Sequence, residues 1–175
     1  MKAIILAAGV GKRLGKHGQG LPKCMVQIGG RPLLARTLKA LDKVGIKDRV
    51  VVVGYEKEKI EQLVNAIPNA MEAVRLRVNP NYRKGSILSL WCVRDEFNDD
   101  LLIMDADVLF PDVLLSKLVF SSSPTALLLD ARSSSTGEEM MLMVKGNRVV
   151  HIGRKVEGTY DLIGEGVGFL KLSRK

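Results

Sequence analysis

The chain has 175 residues, 46% hydrophobic and 26% charged, which excludes disorder over most of its length. At this size a core buries roughly two-thirds of the unfolded surface, so no disulfide or metal staple is needed. Lys and Arg number 27 against 19 Asp and Glu, and the excess is local, since residues 1–41 hold eight basic residues and no acid. A basic excess confined to one glycine-rich segment points to a local anion site, not to a nucleic-acid surface, which spreads its charge along helices or tails. The two cysteines, Cys24 and Cys92, lack metal-site spacing and predict a reduced, cytoplasmic protein. No apolar run reaches the length of a membrane span. The six apolar residues after Lys2 run straight into glycine, unlike a signal peptide.

In chain order, residues 3–8 read as a fully buried strand of the parallel-sheet kind, ended by glycine. Residues 9–31 form a long loop rich in Gly, Lys and Arg. Residues 32–44 read as a helix with Leu33, Leu34, Thr37, Leu38 and Leu41 on one stripe and Gly45 as its stop. Residues 50–53 are a second buried strand, 56–67 a helix, and 74–78 a third strand with Leu76 and Val78 facing inward. Gly85 and Ser86 open a helix expected to run to about Phe97, with Trp91 packed in the core. Residues 101–104 are a fourth buried strand, ending in Asp105-Ala106-Asp107. Another helix starts near Pro111 and Asp112. After residue 124 only strands are expected: 125–129, a hairpin of 140–144 and 148–152, and 166–172. The alternation predicts an α/β fold, a Rossmann-like three-layer sandwich with a mostly parallel central sheet, to which the C-terminal half adds antiparallel strands. No linker divides the chain, so residues 1–175 read as a single domain.

Two constellations carry chemistry. The first is Leu6-Ala7-Ala8-Gly9-Val10-Gly11-Lys12-Arg13-Leu14, followed by Leu21-Pro22-Lys23. Glycines at the carboxyl end of a buried strand turn backbone N–H groups toward phosphates, where α/β sheets place their ligands. Arg13 offers a fork to phosphate oxygens and Lys23 a point charge. A dinucleotide fingerprint fails at Leu14, and a P-loop fails because Gly11 to Lys16 is one residue short and His17 stands where Ser or Thr belongs. The second constellation is Asp105 and Asp107 at a strand end. Such carboxylates hold Mg²⁺ that bridges phosphate oxygens, or else cap the next helix. Beside a cationic glycine loop they read as half of a nucleoside triphosphate site.

These motifs resemble the signature of the sugar-phosphate nucleotidyltransferases, which have a glycosyltransferase-A-like fold. The likeness continues through Gly30-Arg31-Pro32-Leu33-Leu34, Val51-Val52-Val53-Gly54-Tyr55 and residues 101–107. Asn79-Pro80-Asn81-Tyr82, Gly85-Ser86-Ile87-Leu88-Ser89-Leu90, Gly137-Glu138-Glu139-Met140 and Gly164-Glu165-Gly166-Val167-Gly168-Phe169 resemble the branch that uses CTP and phospho-alcohols or phosphonates. The resemblance implies transfer of CMP from CTP to a small acceptor of the phosphocholine, inositol phosphate or aminoethylphosphonate type, with release of pyrophosphate. It implies that the Leu6, Ala7, Ala8 and Gly9 backbone holds base and ribose, that Gly11 and Arg13 hold the triphosphate, and that Lys23 bridges both phosphates. Gly85 and Ser86 would help read the base. Asp107 would bind Mg²⁺ with Asp105 in support, and Glu165 would contact ribose or acceptor. Arg154 and Lys155 are alternative cations for the acceptor phosphate. A hexose-1-phosphate uridylyl- or thymidylyltransferase is the runner-up, and a non-catalytic nucleotide-binding regulatory subunit the alternative of another class. Relatives usually carry a second metal carboxylate beyond the 166–172 strand. Here only Asp161 is at hand, and a further C-terminal segment or a homo-oligomer would be another way to complete the site.

Overall fold

The structure, a computed structural model, describes residues 1–11, 20–68, 74–133, 136–137 and 139–174. Arg13, His17 and most of the 15–20 lead-in to Leu21 lie outside the described residues. So does part of the polar loop at 133–137. The chain divides into two compact units, residues 1–126 with 170–175, and residues 127–169.

The first unit is built on parallel strands. Strand β1 (Lys2–Leu6) lies between β4 (Arg49–Val53) and β6 (Leu101–Asp105), and β5 (Val74–Val78) pairs the outer side of β4. Ala3, Ile4 and Ile5 of β1 and Val50, Val51 and Val52 of β4 are wholly inaccessible, as the uninterrupted apolar runs require of strands covered on both faces. On one face Ile4, Val50, Val52, Leu101 and Ile103 cluster with Val93, and Leu90, Cys92, Leu170 and Leu172 pack against them. Among its helices are α1 (Leu33–Lys43), α2 (Lys57–Asn65) and, after β6, a helix at Asp112–Val119. The expected stripe of α1 is buried throughout, and Ile60 and Val64 of α2 are buried likewise. A one-turn helix, α3 (Ile87–Trp91), precedes the Asp112–Val119 helix, henceforth α4.

Four features depart from the sequence reading. The segment read as a loop to residue 31 contains a small hairpin, β2 (Gln27–Ile28) with β3 (Arg31–Pro32), turned by Gly29 and Gly30 at φ +56° and +72°. Two successive positive φ values are the geometry that fits strand twist, which makes Gly-Gly the signal. The helix expected to reach Phe97 stops at Trp91, and a 3-10 turn at Arg94–Glu96 swings Glu96 inward. Trp91 is 63% exposed, not core. Ser89 and Val93, four residues apart, form the buried face, and Trp91 lies about 200° around the helix from Ser89. Its ring takes the Arg94 guanidinium at 4.8 Å. Finally, Val78 is half-exposed, because β5 is the outermost strand and lacks a neighbour to cover its end.

In the second unit, strands β8 (Met141–Lys145) and β9 (Arg148–Gly153) form the expected hairpin, β10 (Leu162–Leu172) pairs β8, and β7 (Ala126–Asp130) pairs β10. The β9-β8-β10 arrangement is antiparallel. Gly164 lets β10 cross β7 closely, since a Cβ there would sit 2.5 Å from the Asp130 carbonyl oxygen. The last three residues of β10 belong to the first unit.

At the N-terminal end of β1 a buried ion cluster fixes the sheet. Lys2 is 4% exposed, and its Nζ donates to Glu96 Oε2 at 2.7 Å, the Glu96 carbonyl at 3.2 Å and Asn98 Oδ1 at 3.0 Å. All three ammonium protons are thereby used. Arg75 Nη2 reaches the same Glu96 oxygen at 2.8 Å, and Arg77 takes both Asp95 oxygens at 3.0 Å. The Lys2 hydrogen bond, with the charge of Arg75 behind it, holds the Glu96 carboxyl below its ordinary 4.5. A lowered carboxyl stabilises the fold fully above its unfolded value and loses that contribution as pH falls through the native one. Glu96→Gln is therefore expected to lower urea-unfolding stability by about 2–3 kcal/mol at pH 7, and to converge with the parent chain in acid below the carboxyl range.

Candidate active site

Three parallel strands finish at one level, and that is what builds the site. Leu6 stands opposite Val52 of β4 on one side and Asp105 of β6 on the other. The chain leaving β1 is tied to both neighbours. Ala7 N–H donates to the Val52 carbonyl at 2.8 Å, Tyr55 N–H to the Ala8 carbonyl at 3.2 Å, and Ala106 N–H to the Leu6 carbonyl at 3.2 Å. Ala7 and Ala8 are small enough to stay buried while the backbone turns. Gly9 follows half open, and a Cβ added there would meet nothing within 4 Å among the described residues. Packing among the described residues therefore does not demand glycine at this position, which leaves bare backbone open to close approach of a ligand.

Beyond these strand ends lies a hollow of about 710 Å³, within the size range of small-molecule sites. Leu6 through Gly11 form one side. Lys23 and Cys24, from the 3-10 turn at Lys23–Met25, meet Asp105, Ala106 and Asp107 at its base. Tyr82, Arg83, Gly85, Ser86 and Ser89 complete the lining. Lys23 Nζ lies 3.2 Å from Asp107 Oδ2, with both side chains partly open to solvent. Burial pushes the Asp105 carboxyl up to about 6, and the nearby Asp107 charge adds to this while Lys23 opposes it. Burial, with Asp107 second, pushes the Cys24 thiol up to about 12, so the thiolate needed for nucleophilic attack does not form near neutrality. Asp107 does not cap the following helix: α4 begins after Pro111 with no side-chain cap, and Asp107 turns to Lys23 instead.

The structure thus gathers ten of the sequence-derived candidates, Leu6, Ala7, Ala8, Gly9, Gly11, Lys23, Gly85, Ser86, Asp105 and Asp107, around one hollow. Arg13 lies outside the described residues. Glu165 lies in the second unit, where β10 pairs it with Met141 and Ser133 Oγ donates to its carboxylate at 2.7 Å. Arg154 and Lys155 are exposed in that unit. Asp161 closes the β8–β9 turn, accepting from Gly146 N–H at 2.6 Å. Among the described residues no three His, Cys, Asp or Glu side chains gather as a metal cage. The two strand-end carboxylates instead suit a small cation that takes its remaining ligands from phosphate and water.

Tyr82, Arg83 and Ser89 were not singled out from sequence as site residues. Tyr82 reaches the wall because Gly54, just past β4, has no side chain: a Cβ there would lie 2.7 Å from Tyr82 Cβ and Cγ. The signal was present in Gly54 after four valines, but its partner is 28 positions away.

The profile of the MobA-like NTP transferase domain matches residues 3–148. The chain belongs to that family. Among the relatives of this MobA-like domain, the CMP-5'-(3-aminopropyl)phosphonate synthase of Streptomyces rubellomurinus is 31% identical over 128 residues, covering 73% of this chain and 20% of that protein. The choline-phosphate cytidylyltransferase of Streptococcus pneumoniae is 34% identical over 123 residues, 70% of this chain and 52% of that one. The match to the first takes up a fifth of the relative's length, and that to the second about half. The inositol-1-phosphate CTP transferase of T. maritima superposes with a TM-score of 0.80 over 99% of this chain and 70% of the other, at 24% identity, and shares the fold. The mostly parallel sheet with antiparallel additions is that of this nucleotidyltransferase family.

Gly54→Ala is expected to cost about 1–3 kcal/mol in urea unfolding, since an overpacked contact must be relieved by moving Tyr82. Adding Tyr82→Gly, which removes the Cβ as well as the ring, should recover part of that loss; simple additivity of the two losses would show that the two residues do not press on each other.

Proposed function

We propose that this domain transfers CMP from CTP to a small phospho-alcohol or phosphonate and releases pyrophosphate. The observation that carries the reading is the Lys23–Asp107 pair at 3.2 Å on the base of the hollow that Gly9 and Gly11 border. A cation and a carboxylate facing a bare glycine backbone suit a polyanion better than a neutral ligand. The cytidylyl chemistry named for the Streptomyces and Streptococcus relatives supports CTP as donor, and their different acceptors leave the acceptor class broad.

In this reading an acceptor phosphate oxygen attacks the α-phosphorus of CTP. A new P–O bond forms, the bond to the bridging α–β oxygen breaks, and pyrophosphate leaves with that electron pair. Little covalent work falls to the protein, which aligns two anions and offsets the charge that gathers on the transferring phosphorus. Lys23 would exchange Asp107 for phosphate oxygens and stabilise that charge. The Leu6 to Gly9 backbone would hold base and ribose, and Gly11 and Arg13 would hold the triphosphate. Asp107, supported by Asp105, would hold a Mg²⁺, which when bound would draw charge from the phosphate oxygens. Gly85 and Ser86 would border the base, and Glu165 remains the candidate contact to ribose or acceptor. The free thiols of Cys24 and Cys92 support a reducing, cytoplasmic setting.

Incubated with CTP, Mg²⁺ and a panel of phospho-alcohols and phosphonates, the protein should release pyrophosphate with at least one acceptor. Lys23→Ala should lower kcat by about 100-fold or more while the circular dichroism spectrum is unchanged. Folded protein that binds CTP yet turns over no acceptor would favour a regulatory nucleotide-binding role instead.

A further inference from the structure

Lys59, in the first turn of α2, lies outside the lining of the hollow yet touches the chain that leads into Lys23. Its Nζ donates to the Gly20 carbonyl and pairs with Glu56 Oε2 at 3.0 Å. The helix beneath it is firmly seated, because the next residue, Ile60, is wholly buried and Val64 is buried one turn later. Glu56 stands at φ +49°, among the described residues the one non-glycine in a region that L side chains disfavour. Such backbone persists where its surroundings hold it. Lys59 holds Glu56 twice, since its backbone N–H donates to the Glu56 carbonyl at 3.0 Å and its ammonium meets the carboxylate. Just before Glu56, Tyr55 N–H donates to the Ala8 carbonyl at 3.2 Å. Residues 55–59 therefore grip the chain at Ala8, ahead of the glycine-rich segment, and at Gly20, after it.

Gly20 stands three residues before Lys23, and the chain between them has little freedom. Pro22 fixes its own φ, here −57°. The 3-10 turn that follows closes Met25 N–H on the Pro22 carbonyl at 2.9 Å and Val26 N–H on the Lys23 carbonyl at 3.0 Å. Cys24, the next residue, is buried against the hollow. Gly20 itself has φ +71°, and a Cβ built on it would lie 3.7 Å from the Lys59 nitrogen. We propose that Lys59 is a positioning residue of the reaction, which through Gly20 sets where Lys23 stands beside the hollow. This rests on the transfer reading of the site and deepens it. Two magnitudes separate the role from simple stabilisation of the fold. The Lys59 and Glu56 side chains are 40% and 36% exposed, and an ion pair so open to water adds little to stability. A misplacement of about 1 Å in a charge that serves the transition state can cost about a hundredfold in rate.

The test uses Lys59→Met, which keeps the aliphatic stem and removes the donor, in the intact protein. By hydrogen exchange the Met25 and Val26 amides should exchange about tenfold faster than in wild type, while those of β1 and β4 keep their rates. By pyrophosphate release kcat should fall about tenfold, with KM for CTP within about twofold and the urea midpoint nearly unchanged. In a Lys23→Ala background the same substitution should cost nothing further, because its effect passes through Lys23. Unchanged exchange at Met25 and Val26, or an equal loss of kcat with and without Lys23, overturns the proposal. An active wild type matched by an equally active Lys59→Met protein overturns this role alone. A wild type that turns over no acceptor overturns the transfer reading and this role with it.

Discussion

The parallel registration of β1 with both neighbours governs the molecule. Because Leu6 is aligned with Val52 and with Asp105, three chains leave the sheet at one level, and their next residues share one hollow. In a parallel sheet the carboxyl ends all point the same way, so this is also where loops are free to diverge. A slip of one residue in β6 would send Asp105 and Asp107 to the opposite face and break the pairing with Lys23. What prevents the slip is double burial: apolar side chains occupy both faces of β1 and β4, and every one of them would exchange its surroundings. The Lys2–Glu96 cluster pins the other end of β1. A buried ammonium that has spent its protons on Glu96 and Asn98 cannot shift without leaving charge uncompensated, which costs more than the loss of an apolar contact.

Charge is arranged with similar economy. The excess of positive residues sits in the first 41 positions, and among the described residues the cation of this segment that lines the hollow, Lys23, is balanced by Asp107. The Lys23 ammonium near the two carboxylates offsets their mutual repulsion; Asp105 nonetheless remains raised by burial and by its neighbour. An arriving anion competes with Asp107 for Lys23, and an arriving cation competes with Lys23 for Asp107. The pair is thus a resting contact whose two halves suit two opposite charges, the combination a metal-bound triphosphate presents.

Much of this was legible because it depends on local pattern. The runs at residues 3–6, 50–53 and 101–104 could only be doubly buried strands, and a glycine after the first of them fixes where a ligand can approach. The stripe of Leu33, Leu34, Leu38 and Leu41 specified its helix. Legibility failed where a distant residue decides the outcome. Trp91 looked like core, but Ser89 and Val93 claim the inward face of α3 because the sheet offers them room. Glu96 ended that helix early because Lys2, 94 positions away, needs its carboxylate. Tyr82 reached the hollow only because Gly54 vacates the space. The Lys2–Glu96 and Gly54–Tyr82 constraints link residues far apart in the chain and leave no periodicity in it.

In the proposed reaction Asp107 would be the carboxylate that joins a divalent ion to the triphosphate. The most direct measurement is calorimetric titration of CTP into the parent protein and into Asp107→Asn, each with and without Mg²⁺. The parent should bind CTP more tightly when Mg²⁺ is present, and the asparagine variant should retain the weaker metal-free affinity while losing the gain. An undiminished Mg²⁺ gain in the variant, or no gain in the parent, would contradict it.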